Sequence, residues 1–162
     1  MTPAAEAARP KTNQLDLGRR IGKMPVARFK TVQGEHSMGV ASPEDMAETF
    51  IRLFNDRDEA GMLSLYAPDA AFTMDGETVA HGADQIKAAM AGMLAAPFKL
   101  KGKYDSVLVA GDVAVCKLRW EMLNGEGWIE MDGVSLEVLK RGGDGKWRFA
   151  IDDATGSSRG QD

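Results

Sequence analysis

Strict alternation of apolar and polar side chains over residues 113–123 limits the possible fold more than any other feature of this chain. The residues on one side of the pattern are Ala114, Cys116, Leu118, Trp120 and Met122. The residues on the other side are Val115, Lys117, Arg119 and Glu121. A period of two is the period of a β-strand, and one apolar side with one largely charged side is typical of a sheet that covers a core with one face. The segment therefore predicts an antiparallel sheet with one solvent-exposed face.

The rest of the chain after Pro97 also consists of strand-like segments, which are separated by glycine-containing turns. The turns include Gly111-Asp112 and the run over residues 142–145, and both are rich in residues that favour tight turns. Strands are predicted over residues 98–109, 113–123, 128–140 and 146–153. This order indicates a four-stranded meander, in which neighbours in the chain are also neighbours in the sheet.

Helical periodicity precedes the meander. A pattern that begins at Ser42-Pro43 keeps apolar residues at helical spacing as far as Asn55, a second short helix follows Asp58, and a third covers residues 83–95. Two strands are predicted over residues 70–74 and 77–80. The order α-α-β-β-α-β-β-β-β predicts an α+β fold, with a curved antiparallel sheet packed on three N-terminal helices.

Charge and composition separate the first 42 residues from the remainder. Residues 1–42 carry seven Lys and Arg against three Asp and Glu, whereas residues 43–162 carry 13 against 21. We interpret residues 1–42 as an extended, flexible basic tail, residues 43–155 as the domain, and residues 156–162 as a frayed C-terminus. Met24 and Met38 are alternative start sites. An acidic domain is a poor binder of nucleic acid, because phosphate affinity comes from clustered Lys and Arg.

The sequence also limits the compartment and the cofactors. No stretch approaches the roughly 20 apolar residues of a membrane span, and the N-terminus lacks the apolar core of a secretion signal. Cys116 is the single cysteine, so no intramolecular disulfide is possible, and we predict a cytoplasmic protein. His36, His81 and Cys116 are the only histidine and cysteine side chains, which is too few for a typical zinc site. No phosphate-binding loop is visible either. No cofactor is therefore expected.

Five short motifs in a fixed order resemble those of one known superfamily. They are FNxxD at 54–58, LYAPDA at 65–70, GxxxI at 82–86, GDVA at 111–114 and DGKWR at 144–148. Together they resemble the nuclear transport factor 2-like superfamily, the cone fold that ketosteroid isomerases and SnoaL-like polyketide cyclases share. The resemblance implies a cone-shaped sheet over residues 43–155 and a homodimer formed across the outer sheet face, where Val115, Lys117 and Arg119 would lie. It does not imply one activity, because this fold serves many functions.

The resemblance also allows the known chemistry of two member families to be tested on this chain. The ketosteroid isomerase tyrosine falls at Phe50, the base falls at Met74 with Asp75 next to it, and the acid falls near Glu137. Steroid isomerase activity is therefore not expected. The acid–arginine–acid arrangement of limonene-epoxide-hydrolase-like members corresponds weakly to Arg119, Glu121 and Asp132. Because Arg119 and Glu121 alternate with the apolar set, we interpret them as a solvated pair.

Asp153 is the stronger candidate for a catalytic group. It shares a predicted strand face with Trp147, Phe149 and Ile151, so the alternation predicts that its carboxyl points into the cone. A carboxyl among aromatic walls would have a raised pKa and would suit general acid or base catalysis. The alternative is that Asp153 lies at the rim or begins the C-terminal tail. His81, at the start of the third helix, is a weaker candidate.

The remaining apolar side chains predict a cavity, which leads to two hypotheses of function. The predicted wall consists of Phe50, Phe54, Tyr66, Phe72, Met74, Met90, Trp120 and Met131, with Tyr104 as a polar group. One hypothesis is a SnoaL-like domain that binds a small apolar molecule and acts on it as an isomerase, lyase or hydrolase through Asp153. The other is a non-catalytic interaction subunit that docks a protein partner through residues 1–42.

Overall fold

The computed structural model describes residues 38–157 and confirms the α+β class and the order of the elements. A short 3-10 turn, Pro43–Asp45, leads into helices α1 (Met46–Asn55) and α2 (Glu59–Leu63). These are followed by β1 (Tyr66–Thr73), β2 (Ala80–His81) and helix α3 (Gly82–Ala95). The final strands are β3 (Lys99–Ala110), β4 (Val113–Leu123), β5 (Ile129–Val134), β6 (Leu136–Arg141) and β7 (Trp147–Asp153).

Several predictions concern residues outside this described part. The basic tail, the alternative starts at Met24 and Met38, and the docking of a partner fall wholly or mainly on residues 1–37, so they stay predictions. Most of the predicted frayed C-terminus, residues 158–162, also lies outside the described residues. Within residues 38–157, no helix is long and apolar enough to cross a membrane.

The strands form one mixed sheet in the order β2-β1-β7-β6-β4-β3, with β5 also paired to β4. All neighbouring pairs are antiparallel except β1 and β7, which are parallel, so the prediction of a wholly antiparallel sheet is wrong at that pair. The meander could be inferred because short turns join its strands. The pairing of β1 with β7 joins segments more than 70 residues apart in the chain. No short turn connects these strands, so the pairing could not be predicted from the sequence.

Two polar residues of the FNxxD motif hold the helices against the sheet. The side-chain amide of Asn55 donates to the Leu100 carbonyl at 2.9 Å and accepts from the Leu100 N–H at 2.8 Å, so the end of α1 pairs with β3 as a strand would. Asp58 caps α2, because its Oδ1 accepts the Gly61 N–H at 2.8 Å. The two Asn55 bonds keep α1 on the face of the sheet where the core lies.

The third predicted strand, 128–140, is interrupted at Ser135 and forms β5 and β6. Both parts keep one register on β4, since Arg119 pairs with Val134 and Cys116 pairs with Glu137. At the interruption the Ser135 hydroxyl accepts the Leu118 N–H at 3.2 Å, where a continuous ladder would use a backbone carbonyl. The interruption turns no side chain to the wrong face, and it places Ser135 itself in the core.

Candidate functional site

A narrow apolar cavity lies between the helices and the concave face of the sheet. Its volume is about 60 Å³, which is room for a few water molecules. Six of the predicted wall residues line it: Phe50, Phe54, Phe72, Met74, Met90 and Trp120. The other residues that line it are Ala47, Met62, Met93, Leu100, Leu118, Met122, Ser135, Glu137, Phe149, Asp152 and Ala154.

Three predicted wall residues lie elsewhere. Met131 is exposed on β5. Tyr66 and Tyr104 are not in the wall, but their hydroxyl groups bond to carboxyl groups that are. Both tyrosines therefore hold a residue that lines the cavity but do not line it themselves.

Five methionines line the cavity, and Met74 and Met93 among them are only half-buried. Methionine side chains are flexible and adapt to irregular neighbours. Rotation of these methionine side chains would widen the cavity without a change in the strands that form its floor.

Asp152, rather than Asp153, points into the cavity. Asp152 is 6% exposed and lines the wall, whereas Asp153 is half-buried outside it and Ile151 is 47% exposed on the outer face. The predicted orientation of Asp153 and Ile151 is wrong because β7 contains a bulge. Leu139 pairs with Phe149 but Val138 pairs with Ile151, so Ala150 is an extra residue that reverses the alternation after it.

A second buried carboxyl lies next to Asp152. Glu137 is 2% exposed, lines the same cavity, and is the direct cross-strand partner of Asp152. Side chains at such opposed positions on one sheet face start about 5 Å apart at their Cβ atoms. Cys116 is the partner of Glu137 on the other side, and burial raises the pKa of its thiol to about 12, so it is not a thiolate nucleophile at neutral pH.

A tyrosine holds the Asp152 carboxyl in place. The Tyr66 hydroxyl donates to Asp152 Oδ2 at 2.5 Å. The Tyr66 ring lies in an aromatic cluster, with its centroid 4.8 Å from that of Phe149, 6.4 Å from Phe72 and 6.5 Å from Phe50. The side of Asp152 that faces Tyr66 is therefore enclosed by aromatic rings.

Two hydroxyl groups hold the Glu137 carboxyl. Tyr104 donates to Glu137 Oε2 and Ser135 donates to Oε1, each at 2.7 Å. Tyr104 extends from β3 and Ser135 from the interruption between β5 and β6. The carboxyl is therefore fixed at both oxygens although it lies in an apolar wall.

Burial raises the pKa of both carboxyl groups. The pKa of Glu137 rises to about 8, first through loss of solvent and then through the neighbouring charge of Asp152. The pKa of Asp152 rises to about 6, mainly through burial, while the bond from Tyr66 opposes the shift. Two adjacent buried carboxyl groups resist carrying two charges, so near neutral pH the pair holds one proton.

The remaining candidates lie apart from this cavity. Arg119 is on the outer face and pairs with Asp105 at 2.7 Å, and Glu121 and Asp132 are exposed, which agrees with a solvated arrangement. His81 is also exposed, at the start of α3. In contrast, the three positions taken from the ketosteroid isomerases, Phe50, Met74 and Glu137, all line the cavity.

Sequence reasoning missed Asp152 and gave Glu137 no role. Asp152 could have been found because it is next to Asp153, the residue that was predicted to point inward. Only the assignment of side chains to the two faces of the strand was wrong. The signal for Glu137 was its match to the isomerase acid position. Among residues 38–157, no group of three or more His, Cys, Asp and Glu side chains is placed to hold a metal ion.

Comparison with known proteins identifies the family. The profile of the SnoaL-like domain matches residues 47–150, and a search of the curated proteins finds no significant match. The fold is similar to that of a ketosteroid isomerase-like protein from Erwinia carotovora atroseptica, with a TM-score of 0.54 at 18% identity over 68% of this chain and 90% of that one. An NTF2-like protein from Novosphingobium aromaticivorans gives 0.58 at 18% identity over 68% and 78%.

A further similar structure is a Thiobacillus denitrificans protein named as a calcium/calmodulin-dependent protein kinase type II association domain. Its TM-score is 0.64 at 19% identity, over 73% of this chain and 97% of that one. Similarity at these identities establishes the fold and leaves the activity open. The chain belongs to the SnoaL-like domain family, with the cone fold of the NTF2-like and ketosteroid isomerase-like proteins.

Proposed function

We propose that this domain binds a small apolar molecule and catalyses proton transfer at one of its carbon atoms, as an isomerase or a lyase. Asp152 is the general base and Glu137 is the general acid. One observation carries the proposal: two opposed, buried carboxyl groups line an otherwise apolar cavity, and each is held by a tyrosine hydroxyl.

The two roles follow from the difference between the two pKa values. Asp152, with the lower pKa, is the carboxylate that accepts a proton near neutral pH. Glu137, with the higher pKa, keeps its proton and can donate it or share it in a hydrogen bond. Adjacent carboxyl groups whose surroundings separate their pKa values are a recurrent basis for acid–base pairs.

The elimination reaction of a lyase balances with these two groups alone. Asp152 takes a proton from carbon as the carbon–carbon double bond forms, and Glu137 gives its proton to the departing hydroxyl group, which leaves as water. In an isomerisation, Asp152 takes the proton from one carbon and returns it to another, while Glu137 donates a hydrogen bond to the substrate carbonyl. Positioned acids and bases of this kind contribute about 10²–10⁴-fold to a rate.

Hydrolysis, the third reaction class considered from the sequence, has less support. Ser135, Glu137 and Asp152 are the polar residues among those that line the cavity. Among residues 38–157, the lining therefore offers no Lys or Arg to stabilise the oxyanion of a hydrolytic intermediate. Its apolar character favours a substrate with a ring or short chain and a single oxygen function.

The test uses exchange of α-protons, which requires no knowledge of the natural substrate. Full-length protein in D₂O near neutral pH is incubated with small apolar ketones such as cyclohexanone, and NMR follows deuterium incorporation next to the carbonyl. We expect the protein to accelerate exchange and Asp152→Asn to reduce that acceleration by about 10²-fold or more.

Asp153→Asn is the matched control, because it makes the same chemical change one residue away and outside the cavity wall. It should retain the exchange activity of the parent protein. Equal activity in both variants, or loss only in Asp153→Asn, would refute the assignment of Asp152. Native mass spectrometry of the purified protein would show any ligand that is retained.

We also propose that a second copy of the chain covers the outer face of the sheet. An apolar row crosses four strands there, because Leu108 pairs with Val115, Val115 with Val138, and Val138 with Ile151. Leu108 is 70% exposed, and Val115 and Ile151 are exposed as well. Burial of such a row stabilises association by roughly 25 cal/mol for each Å² of apolar surface.

Light scattering after size-exclusion chromatography tests this proposal. The parent protein should elute as a dimer, and Val115→Asp should shift it to the monomer. Ile129→Asp is the control, because Ile129 is an exposed β-branched residue on β5, outside the row. A monomeric parent protein would refute the proposal.

A further inference from the structure

An open groove borders Tyr104, which does not itself line the cavity. It runs between β3 and the start of α1, has a volume of about 610 Å³, and is lined by the charged residues Glu44, Glu48 and Lys103 among others. Tyr104 is part of its wall. Ala47 lines both the groove and the inner cavity, so the partition between the two spaces is thin.

Tyr104 connects the two spaces chemically. The half-buried tyrosine lines the groove, and its hydroxyl donates to Glu137 Oε2 at 2.7 Å in the wall of the inner cavity. Gly102, two residues before Tyr104 on β3, also lines the groove and packs closely on β4. A Cβ on Gly102 would lie 2.7 Å from the Arg119 carbonyl oxygen, so a larger residue could not fill this position without a shift.

The other carboxyl has no corresponding connection. Asp152 bonds to Tyr66, which is buried among Phe50, Phe72 and Phe149 and lines neither space. The remaining hydroxyl on Glu137, that of Ser135, is also buried. Of the three hydroxyl groups that hold the two carboxyl groups, only that of Tyr104 belongs to a residue that borders the groove.

We propose that Tyr104 carries protons between solvent in the groove and Glu137. When Glu137 is ionised, the Tyr104 O–H bond breaks as a Glu137 Oε2–H bond forms, and the phenolic oxygen takes a proton from hydronium in the groove. The reverse sequence releases the proton of Glu137 to water. The neutral tyrosine is regenerated in both directions.

This route has a use in the proposed catalytic cycle, and in that sense it rests on the proposed function. After elimination, Asp152 holds a proton and Glu137 has lost one, while the product still fills the cavity. Glu137 takes a proton from the groove through Tyr104 while the product is still bound, and Asp152 releases its proton to water that enters the cavity when the product leaves. Such a route lets product release and reprotonation proceed independently.

Infrared spectroscopy of the free, full-length protein tests the route without a substrate. The C=O stretch of the protonated carboxyl, assigned by its loss in Glu137→Gln, shifts when its proton is replaced by deuterium. After rapid mixing into D₂O, the shift should be about 10²-fold slower in Tyr104→Phe than in the parent, which is the low end for loss of a positioned proton-transfer group.

Tyr66→Phe is the matched control, because it removes the hydroxyl from the other carboxyl, and its exchange should match that of the parent. Each variant is measured at the midpoint of its own carboxyl titration, so that differences in protonation do not enter the rates. Tyr104→Phe keeps the ring and the partition intact.

The outcomes separate this proposal from the proposed function. Equal exchange in Tyr104→Phe and the parent, or equal slowing in both tyrosine variants, would overturn the Tyr104 route and leave the acid–base pair standing. Absence of the Glu137 band near neutral pH would overturn both. Slow exchange in Tyr104→Phe, together with no α-proton exchange of ketones by the parent, would support the route and refute the catalytic proposal.

Discussion

The two tyrosine–carboxyl pairs have the same composition but different surroundings. Asp152 and Tyr66 lie among aromatic rings, where the carboxyl accepts one hydroxyl bond. Glu137 accepts two hydroxyl bonds, and one of them comes from Tyr104, which borders an open groove. One pair is enclosed by the core, and the other connects the core with solvent.

The comparison shows that hydrogen bonds and burial shift the pKa of a carboxyl in opposite directions. Each bond from a hydroxyl lowers the pKa of the carboxyl that accepts it, and burial raises it. Burial is the largest cause at both residues, and Glu137 has the higher pKa although it accepts more bonds. The neighbouring charge of Asp152 adds to burial at Glu137.

The largest expected effect is on the pH dependence of stability. The pKa of Glu137 is raised to about 8 in the folded protein from 4.5, so the folded state binds more protons between these values, and stability is lost as the pH rises through the folded pKa. Glu137→Gln removes this dependence. Between about pH 5 and pH 9 the parent should lose roughly 2–5 kcal/mol more unfolding free energy than the variant.

Urea unfolding at a series of pH values measures this difference. Asp152 is present in both proteins and contributes a smaller loss of the same sign, which falls between its ordinary pKa of 3.8 and its folded pKa of about 6. Parallel stability curves for the parent and Glu137→Gln would show that Glu137 is ionised when folded. The assignment of Glu137 as the acid would then fail.

Tyr66→Phe should have the next largest effect. The substitution removes the hydroxyl bond to Asp152 at a position where Tyr66 is buried among aromatic rings. At about pH 8, where Asp152 is ionised, we expect a loss of about 2–3 kcal/mol, the cost of removing a bond to a buried charge. Urea unfolding at about pH 6 should show a smaller loss, because the carboxyl is then partly protonated.

Tyr104→Phe should cost less, about 1 kcal/mol at the same pH. Glu137 keeps its bond from Ser135, and the proposed route predicts that water from the groove replaces the lost hydroxyl. Urea unfolding of the two tyrosine variants under identical conditions provides the comparison. A larger cost for Tyr104→Phe than for Tyr66→Phe would mean that the groove does not supply water to Glu137.

Much of the fold could be predicted from local patterns. The predicted strand 113–123 has the same bounds as β4, and the predicted helix 83–95 differs from α3 by one residue. These elements are each buried on one side, so the periodicity of the residues reports their geometry directly. The parallel pairing of β1 with β7 left no such trace, because it depends on contacts between distant segments.

The site was harder to predict, because its two carboxyl groups depend on features that alternation does not record. The bulge at Ala150 exchanges the orientations of Asp152 and Asp153, and it exists only through the pairing of β7 with β6. Around Glu137, the outward Leu136 and Val138 are as apolar as the inward Leu139. The sequence of that strand therefore does not show which face is buried. Only the correspondence with the ketosteroid isomerase acid indicated Glu137.

The smallest expected effect, that of Asp153→Asn, tests whether the bulge assigns the buried carboxyl correctly. Asp153 is half-buried outside the cavity wall, and the substitution keeps its shape, so the unfolding free energy should change by less than about 0.5 kcal/mol. Its negative charge contributes to the raised pKa of Asp152, so the variant should titrate Asp152 at a slightly lower pH, as measured by NMR of the carboxyl carbon. Asp152→Asn should instead remove that titration altogether. If Asp153→Asn abolished it, the phase of β7 would be the one predicted by simple alternation, and Asp153 would be the residue that reaches the cavity.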